Sequence, residues 1–393
     1  MTCIKRIVTL GVFFCFALSQ EAHGEELRLS LRGGMRLALE NNLDIKIGQV
    51  SPEIEAQRIR KEEGIFDPEF STSFKFTDQT TPLTTRSTIA AGGQTSVKSE
   101  SYSLSAGLSG KTIFGTGYSL ALSDTWTSDT FNRYDYEYDS FAGITLTQPL
   151  LKNLGKDINR YTIETAGKER EMSVFRLKSR INDVLANYAL AYWDLVFARA
   201  ELRVREDNLS LAQALLGENK NRFEAGVVSR LDVIQAEAGA AKRKEDVIMA
   251  KKTVREKENG LKRFISADLF SLKDTEIVPT DEPLYEETSY TLEQAVKEAF
   301  ALRPDYMETR TGIEKNRIKV AYSKNQTYPS VDLEASYGFS GLGEDFGDSI
   351  NGMDTNPQWS AGLVFTYPFG NRAADSGLRI ARLEEAESLI RLK

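Results

Sequence analysis

Hydrophobic residues recur every seven positions through the middle of the chain, where residues 157–266 are almost free of proline. One series is Val174, Ile181, Tyr188, Leu195, Leu202, Leu209, Leu216 and Phe223, and another is Val233, Ala240, Val247, Val254 and Leu261. Apolar residues at this spacing form the seam along which long helices pack. The pattern predicts a long antiparallel helical hairpin over 157–266.

The turn between the two series reads RFEAGVVSRLDV, from Arg222 to Val233. Gly226 suits the left-handed position that ends a helix, and Ser229 is expected to cap the next helix with Asp232 as its capping-box partner. Val227 and Val228 are left at the tip. An exposed apolar pair indicates contact with another protein, and packing against neighbouring tips is the alternative.

Two other regions, 66–150 and 329–369, alternate apolar and polar residues with period two, which predicts strands. Apolar positions of this kind are Phe70, Phe74, Phe76, Tyr102, Leu104, Leu108, Leu120, Leu122, Ile144, Leu333, Tyr337, Leu363 and Phe365. A soluble sandwich and the wall of an outer-membrane barrel share this alternation. Aromatic residues near the strand ends favour the barrel: Trp126, Tyr134, Tyr136, Tyr138 and Trp359. Polar loops near 79–98, 127–137 and 341–357 are expected to face outward.

The chain resembles itself. Leu31 aligns with Leu292, an offset of 261 residues (292 − 31), and the same offset pairs Asp44 with Asp305. A second offset of 219 pairs Pro149 with Pro368. We therefore expect a duplication. The first repeat is 25–280, with helices 30–64, strands 66–150 and the hairpin 157–266. The second is 281–393, with helices 290–325, strands 329–369 and the start of a long helix at 371–393.

The amino terminus carries an export signal. Lys5 and Arg6 precede a short apolar run, and a small-residue cleavage site predicts removal of residues 1–24, so that the mature chain starts at Glu25. The residues before Cys15 are phenylalanines, which argues against acylation. Removal also takes away Cys3, Cys15 and His23, the only cysteines and histidine among 393 residues.

The mature chain therefore has no side chain for a disulfide, a Cys/His zinc site or a histidine base. We predict no cofactor, no metal and no enzymatic activity, because no Gly-rich phosphate loop or nucleophile elbow is found either. A formal net charge of -7 argues against nucleic acid as a partner.

The order of helices, strands, TQPLL (147–151) and a hairpin interrupted by RFEAGVVSRLDVIQAEA (222–238) resembles the TolC family of outer-membrane efflux proteins. The resemblance implies an α+β membrane protein: a homotrimeric outer-membrane β-barrel continued by a long α-helical coiled-coil barrel in the periplasm. It implies a passive export conduit for efflux or type I secretion, coupled through a periplasmic adaptor to an inner-membrane transporter.

The same resemblance assigns positions to particular residues. It places an adaptor-contact tip at the periplasmic end, formed by Arg222, Gly226, Val227, Val228, Ser229, Leu231 and Asp232. It places Pro149 and Pro368 where strands give way to helices, since proline cannot donate a ladder hydrogen bond. Selectivity is expected to come from polar strand faces, such as Asp332 and Glu334.

Two departures from the family pattern leave alternatives open. The first repeat has room for four strands instead of two, so that a trimer has either eighteen strands or twelve with the hairpin near 100–126 outside the wall. The chain also ends about twenty-five residues into the second long helix, which predicts a fragment. The rival to the conduit is a periplasmic or surface coiled-coil protein whose β region is soluble.

Overall fold

The computed structural model describes residues 26–130, 135–268, 270–285 and 291–393. The helices are α1 (Leu31–Asn41), α2 (Leu43–Glu63), α3 (Thr85–Ala90), α4 (Lys156–Asn159), α5 (Tyr161–Glu224), α6 (Arg230–Ile265), α7 (Leu292–Leu302), α8 (Pro304–Gln326), α9 (Phe346–Asn351) and α10 (Arg372–Leu392). The strands are β1 (Glu26–Leu29), β2 (Glu69–Pro82), β3 (Ser96–Lys111), β4 (Gly117–Asp129), β5 (Glu137–Pro149), β6 (Glu276–Pro279), β7 (Ser330–Gly343) and β8 (Pro357–Thr366). The predicted signal, residues 1–24, and Tyr134 lie outside the described residues.

The chain divides into two compact units. The helical unit comprises the described parts of 1–46 and 180–289, and the sheet unit comprises those of 47–179 and 290–393. Helix α5 contributes residues to both units because no proline interrupts it. None of the helices in the described ranges is both long and apolar enough to cross a membrane.

The core of the helical unit lies where the heptad seams of α5 and α6 are most completely buried. It consists of Leu29, Tyr188, Tyr192, Leu195, Ala198, Val254, Leu261, Ile265 and Ile277. Leu202, Leu209 and Leu216, further along the predicted seam of α5, are only half-buried. Two helices packed only on each other leave their contact residues partly exposed. Around Tyr188 and Leu195, strands β1 and β6 and helix α1 also pack on the pair, and the side chains there are fully buried.

A small parallel pair of strands, which the sequence analysis did not predict, completes this core. Strands β1 and β6 pair with Leu27 opposite Ile277, and Ile277 is fully buried. The Tyr192 hydroxyl donates to Asp281 Oδ2 at 2.8 Å, and the same carboxylate accepts from the Leu31 backbone N–H at the start of α1. Asp281 thus supplies the negative charge that the first turn of α1 lacks.

The sheet unit contains one antiparallel sheet in the order β2-β3-β4-β5-β7-β8. Hairpin β3–β4 lies inside this sheet, between β2 and β5, which favours the eighteen-stranded alternative over a hairpin outside the wall. The reason is that its apolar residues continue the rows of its neighbours: Phe70 pairs with Leu108, Leu108 with Leu120 and Leu120 with Ile144. A hairpin outside the sheet would leave these rows broken.

The two faces of the sheet differ in chemistry. The apolar row continues across the remaining strands, because Ile144 pairs with Tyr337 and Tyr337 with Trp359. The opposite face carries Ser71, Ser73, Ser103, Ser105, Ser119, Ser123, Thr145, Thr147, Ser336 and Ser360. Hydroxyls on this face bond across strands, with Ser73 and Ser105 at 2.8 Å and Ser336 and Ser360 at 2.7 Å.

The connection after β7, predicted as a polar loop near 341–357, contains helix α9, which lies on the sheet. The Ser349 hydroxyl is 2.7 Å from that of Ser140, which donates to Asp124 Oδ1 at 2.6 Å, and all three residues are buried. Gly341 permits this approach, since a Cβ there would lie 1.8 Å from the Ser349 carbonyl oxygen. Helix α9 therefore covers a carboxylate that would otherwise lie on the apolar face.

Element bounds recur at the offset found in the sequence. Helix α7 begins and ends 261 residues after α1, and β7 does so after β2. The helix caps recur as well: the Ser30 hydroxyl accepts from Gly33 N, and the Thr291 hydroxyl accepts from Gln294 N.

Candidate functional site

The tip of the helical hairpin is built by local hydrogen bonds that end α5. Gly226 has a φ of 74°, the left-handed conformation expected from the sequence. The Val227 N–H donates to the Arg222 carbonyl and the Gly226 N–H to the Phe223 carbonyl, both at 2.9 Å. This pair of bonds is a Schellman motif, and it requires a residue without a Cβ at position 226.

Helix α6 begins with the capping box that the sequence predicts. The Ser229 N–H donates to Asp232 Oδ2 at 2.9 Å, and the Asp232 N–H donates to the Ser229 hydroxyl oxygen at 3.3 Å. The Ser229 hydroxyl also donates to Asp232 Oδ2, and these bonds hold the pKa of the Asp232 carboxyl below its usual value. Because both caps are local, the turn keeps its shape without other contacts.

Apolar side chains project from this turn into solvent. Val227 is 68% exposed, Leu231 62% and Ile234 52%, and Phe223 is also exposed. We call these four residues the tip patch. The sequence analysis did not single out Ile234, although it lies seven residues after Val227. Spacing along a helix does not show whether an apolar side chain is exposed or buried.

The two valines of the turn differ in exposure. The sequence analysis left both at the tip, but Val228 is half-buried. It occupies the position before the Ser229 cap, and Val233 the fourth position of α6. These are the two positions of a hydrophobic staple, and both residues are half-buried. We therefore leave Val228 out of the tip patch, and its contact with an adaptor stays a prediction.

The remaining tip residue, Arg222, lies on the last turn of α5 as a solvated side chain. Its guanidinium is 3.5 Å from Glu218, and both side chains are more than half exposed. Such a pair adds little stability. Arg222 is therefore free to pair with an acidic group on a partner.

Pro149 and Pro368 both lie where a strand ends and before the next helix begins. Pro149 is the last residue of β5 and is buried, and Pro368 lies between β8 and α10. The turn after β5 is held by asparagines that the sequence analysis did not single out: the Asn153 N–H donates to Asn325 Oδ1, and Gln326 Nε2 donates to Asn153 Oδ1, each at 2.8 Å. Asn153 takes a left-handed φ of 63°.

A row of aromatic rings crosses the apolar face of the sheet. It runs through Phe76, Tyr102, Trp126 and Tyr138, which are successive partners on β2 to β5. Ring centroids are 4.8 Å apart between Phe76 and Tyr102, 5.6 Å between Tyr102 and Trp126, and 6.0 Å between Trp126 and Tyr138. We call these residues the aromatic row. Belts of amphipathic rings mark the membrane interface of outer-membrane barrels.

Asp332 and Glu334, named above for selectivity, lie on the polar face of β7. Asp332 accepts from the Ser330 hydroxyl at 2.8 Å, and Glu334 pairs in register with Thr147 and Gly362. Within the described residues, no cluster of three or more His, Cys, Asp or Glu side chains is suited to a metal ion. On this face β7 therefore presents carboxylates and hydroxyls.

Comparison with known proteins agrees with this arrangement. Residues 114–266, from just before β4 to the end of α6, match the family model described as "Outer membrane efflux protein". The fold is similar to the Campylobacter jejuni CmeC outer membrane channel, with a TM-score of 0.60 and 18% identity over 92% of this chain. A search of curated protein sequences gave no match.

Two further solved structures share the fold. The outer membrane protein VceC of Vibrio cholerae has a TM-score of 0.59 and 14% identity, and the open state of the Neisseria gonorrhoeae MtrE outer membrane channel has 0.55 and 18%. Each comparison covers 92% of this chain, which spans 66% of CmeC, 74% of VceC and 68% of MtrE. The resemblance is therefore confirmed: residues 114–266 match the outer membrane efflux protein model, and the fold is similar to those of solved outer membrane channels.

Proposed function

We propose that this protein is the outer-membrane subunit of an export system, a passive conduit without cofactor or chemistry of its own. The observation that carries the proposal is the sheet, with an apolar face crossed by the aromatic row and an opposite face of serine, threonine and glycine. Lipid requires the first surface and a water-filled lumen the second. The protein thus lies in the outer membrane, with its helical hairpin in the periplasm.

The unpaired edges of the sheet support assembly from several copies. Within the described residues, no further strand pairs with the outer edge of β2 or of β8. Backbone groups at such edges cannot face lipid unpaired, because nothing there accepts their hydrogen bonds. Six strands are too few to close around a water-filled lumen. A second copy must therefore cover each edge.

Strand direction permits this closure. The six strands alternate in direction, so β8 of one copy and β2 of the next are antiparallel when the copies follow one another around a ring. Three copies of a six-stranded sheet give an eighteen-stranded barrel. The extra hairpin β3–β4 accordingly widens the barrel, and the lumen passes bulkier solutes than a twelve-stranded wall.

We also propose that the chain arose by duplication. The recurrence of α1 at α7 and of β2 at β7, at one offset of 261 residues and with matching caps, supports a common ancestor for the two halves. Hairpin β3–β4 has no counterpart after β7 in the described stretch 291–393. It is then an insertion in the first repeat, placed so that the alternation of strand direction is unchanged.

The tip patch is the proposed contact for a periplasmic adaptor, which couples the conduit to an inner-membrane transporter. Its exposed side chains, Val227, Leu231 and Ile234, are apolar on a turn whose fold does not need them. Arg222 and Asp232 flank the patch with opposite charges. Apolar contact with a charged rim is typical of protein interfaces.

The competing function is a coiled-coil structural protein of the periplasm or cell surface, whose sheet is solvated. Membrane fractionation of cells expressing the protein separates the two. A conduit sediments with the outer membrane as an oligomer that dissociates to single chains only on heating. A monomer in the soluble periplasmic fraction would reject the proposal in favour of the structural protein.

A further inference from the structure

The aromatic row stops before it reaches β7. The next position across the sheet after Tyr138 is Gly343, and the β7 position one row nearer the middle of the sheet is Gly341. Strand β8 reaches neither row, because it begins at Pro357, opposite Phe339. On the apolar face, β7 therefore carries no side chain at the level where β2 to β5 carry the aromatic row.

Helix α9 occupies the space that these two glycines leave. A Cβ at either position would collide with the backbone of Ser349, whose side chain is fully buried against Ser140. The Ser140 hydroxyl in turn donates to Asp124, a carboxylate on the same face of the sheet. The helix is therefore part of the apolar side of the sheet, level with the aromatic row.

Two large apolar side chains of α9 are exposed. Phe346 is 53% and Ile350 43% exposed, and they lie about one turn apart on one flank of the helix. At 3.6 residues per turn, Asp348 lies about 160° from each of them, on the opposite flank. The segment is thus amphipathic across its width, although the sequence analysis predicts only a polar loop here.

The contacts of α9 with β7 show which way each flank faces. Asp348 lies beside Gly343, the last residue of β7, so the acidic flank faces the end of the strand. The opposite flank, with Phe346 and Ile350, therefore faces back along the strand. In the proposed barrel that is the direction of the hydrocarbon core, because β7 follows α8 on the periplasmic side and ends at the outer surface.

We propose that α9 is an interfacial lipid anchor, whose Phe346 and Ile350 enter the outer leaflet while the acidic flank stays in water. The inference rests on the proposed function, because it requires the apolar face of the sheet to lie in lipid. Amphipathic segments bury such side chains at the boundary between headgroups and acyl chains. The occupant is lipid because α9 continues the aromatic row, on the same face and at the same level.

The test is the depth of a fluorescent label in a membrane. The full-length protein carries one labelled cysteine, as Phe346→Cys or Ile350→Cys, in phosphatidylcholine vesicles that contain a lipid with a nitroxide near its headgroup. Both positions are exposed, so the label does not put folding at risk. Quenching by this lipid should be at least about twofold stronger than for Asp348→Cys, since a helix width of about 10 Å separates the two flanks.

Phe76→Cys, in the aromatic row, is the control for the proposed function, and the nitroxide lipid should quench its label. If it does, but the two α9 labels respond only to iodide in the water, α9 is not an anchor and the conduit proposal stands. If the α9 labels are protected from both quenchers, a second copy covers the apolar flank and the inference is overturned as well. If the Phe76→Cys label is not quenched by lipid, the proposed function fails and the anchor fails with it.

Discussion

At the scale of single residues, the hairpin tip separates side chains that fold from side chains that project. Gly226, Ser229 and Asp232 complete the two helix ends through backbone and capping bonds, and Val228 joins them through its staple position. The side chains of Val227 and Leu231 make no such contribution and are exposed. A substitution at Val227 therefore tests contact with a partner without disturbing the fold.

Val227→Asp should abolish chemical crosslinking to the periplasmic adaptor while the oligomer forms normally. The substitution removes apolar area from the contact, and the aspartate carboxylate would lose its hydration if the contact still formed. Folding stability should change by no more than about 0.5 kcal/mol, as is usual for exposed sites. Gln235→Asp, an exposed neighbour on α6, is the control and should crosslink as the unmodified protein does. Unchanged crosslinking of Val227→Asp would remove Val227 from the interface.

Asp281 is the residue that ties α1 to the core of the helical unit. Its carboxylate accepts from the Leu31 N–H and the Tyr192 hydroxyl, and these two bonds hold its pKa below the usual value. Because the folded pKa is depressed, the stabilisation is complete above the unfolded value, near 3.8, and is lost as the pH falls through the folded pKa.

Asp281→Asn should therefore lower the Tm at pH 7, and the difference from the unmodified protein should shrink as the pH falls below about 4. Asp207→Asn, which changes an exposed carboxylate on α5, controls for net charge and should leave the Tm nearly unchanged at both pH values. A Tm difference for Asp281→Asn that is the same at pH 3 and pH 7 would contradict the assigned hydrogen bonds.

At the scale of elements, the periodicity of apolar residues predicts a helix or strand correctly where the element is long and has one apolar face. The heptads over 174–261 predict the two helices α5 and α6, and the alternation over Phe70–Phe76 and Tyr102–Leu108 predicts β2 and β3. Strands β1 and β6 have four residues each, too few for a period to be visible. Helix α9 was not predicted because its packing depends on Gly341 and Ser140. These two residues come together only once the sheet has formed.

Hairpin β3–β4 is the element that sets the predicted width of the barrel. Replacing residues 80–134 with a two-residue Asn-Gly turn should leave β2 beside β5, because Thr77 and Glu137 already share a row through Ser101 and Thr127. The barrel should close with four strands per copy. Its single-channel conductance in planar bilayers should fall to about half, since the diameter scales with strand number.

The control for this deletion is the oligomeric state of the shortened protein. The shortened protein should remain an outer-membrane oligomer with the same number of copies. If the conductance is unchanged while the oligomer is intact, the hairpin does not belong to the wall, and the eighteen-stranded barrel is wrong.

At the scale of the whole molecule, the proposed barrel depends on the two edges of one sheet. The sequence predicts strands with two different faces, but it cannot distinguish a wall shared between copies from a sheet that closes on itself, because both bury the same alternating residues. The order β2-β3-β4-β5-β7-β8 leaves β2 and β8 at opposite edges, and this supports closure between copies.

The most direct test is disulfide crosslinking between those edges. The only natural cysteines, Cys3 and Cys15, lie in the predicted signal, so cysteines can be placed at Ser71 in β2 and scanned over Ser360, Gly362 and Val364 in β8. Paired strands bring such residues within disulfide reach. One register should give crosslinked bands at two and three times the mass of the chain. Bonds formed only within single chains, or none in any register, would contradict the shared barrel.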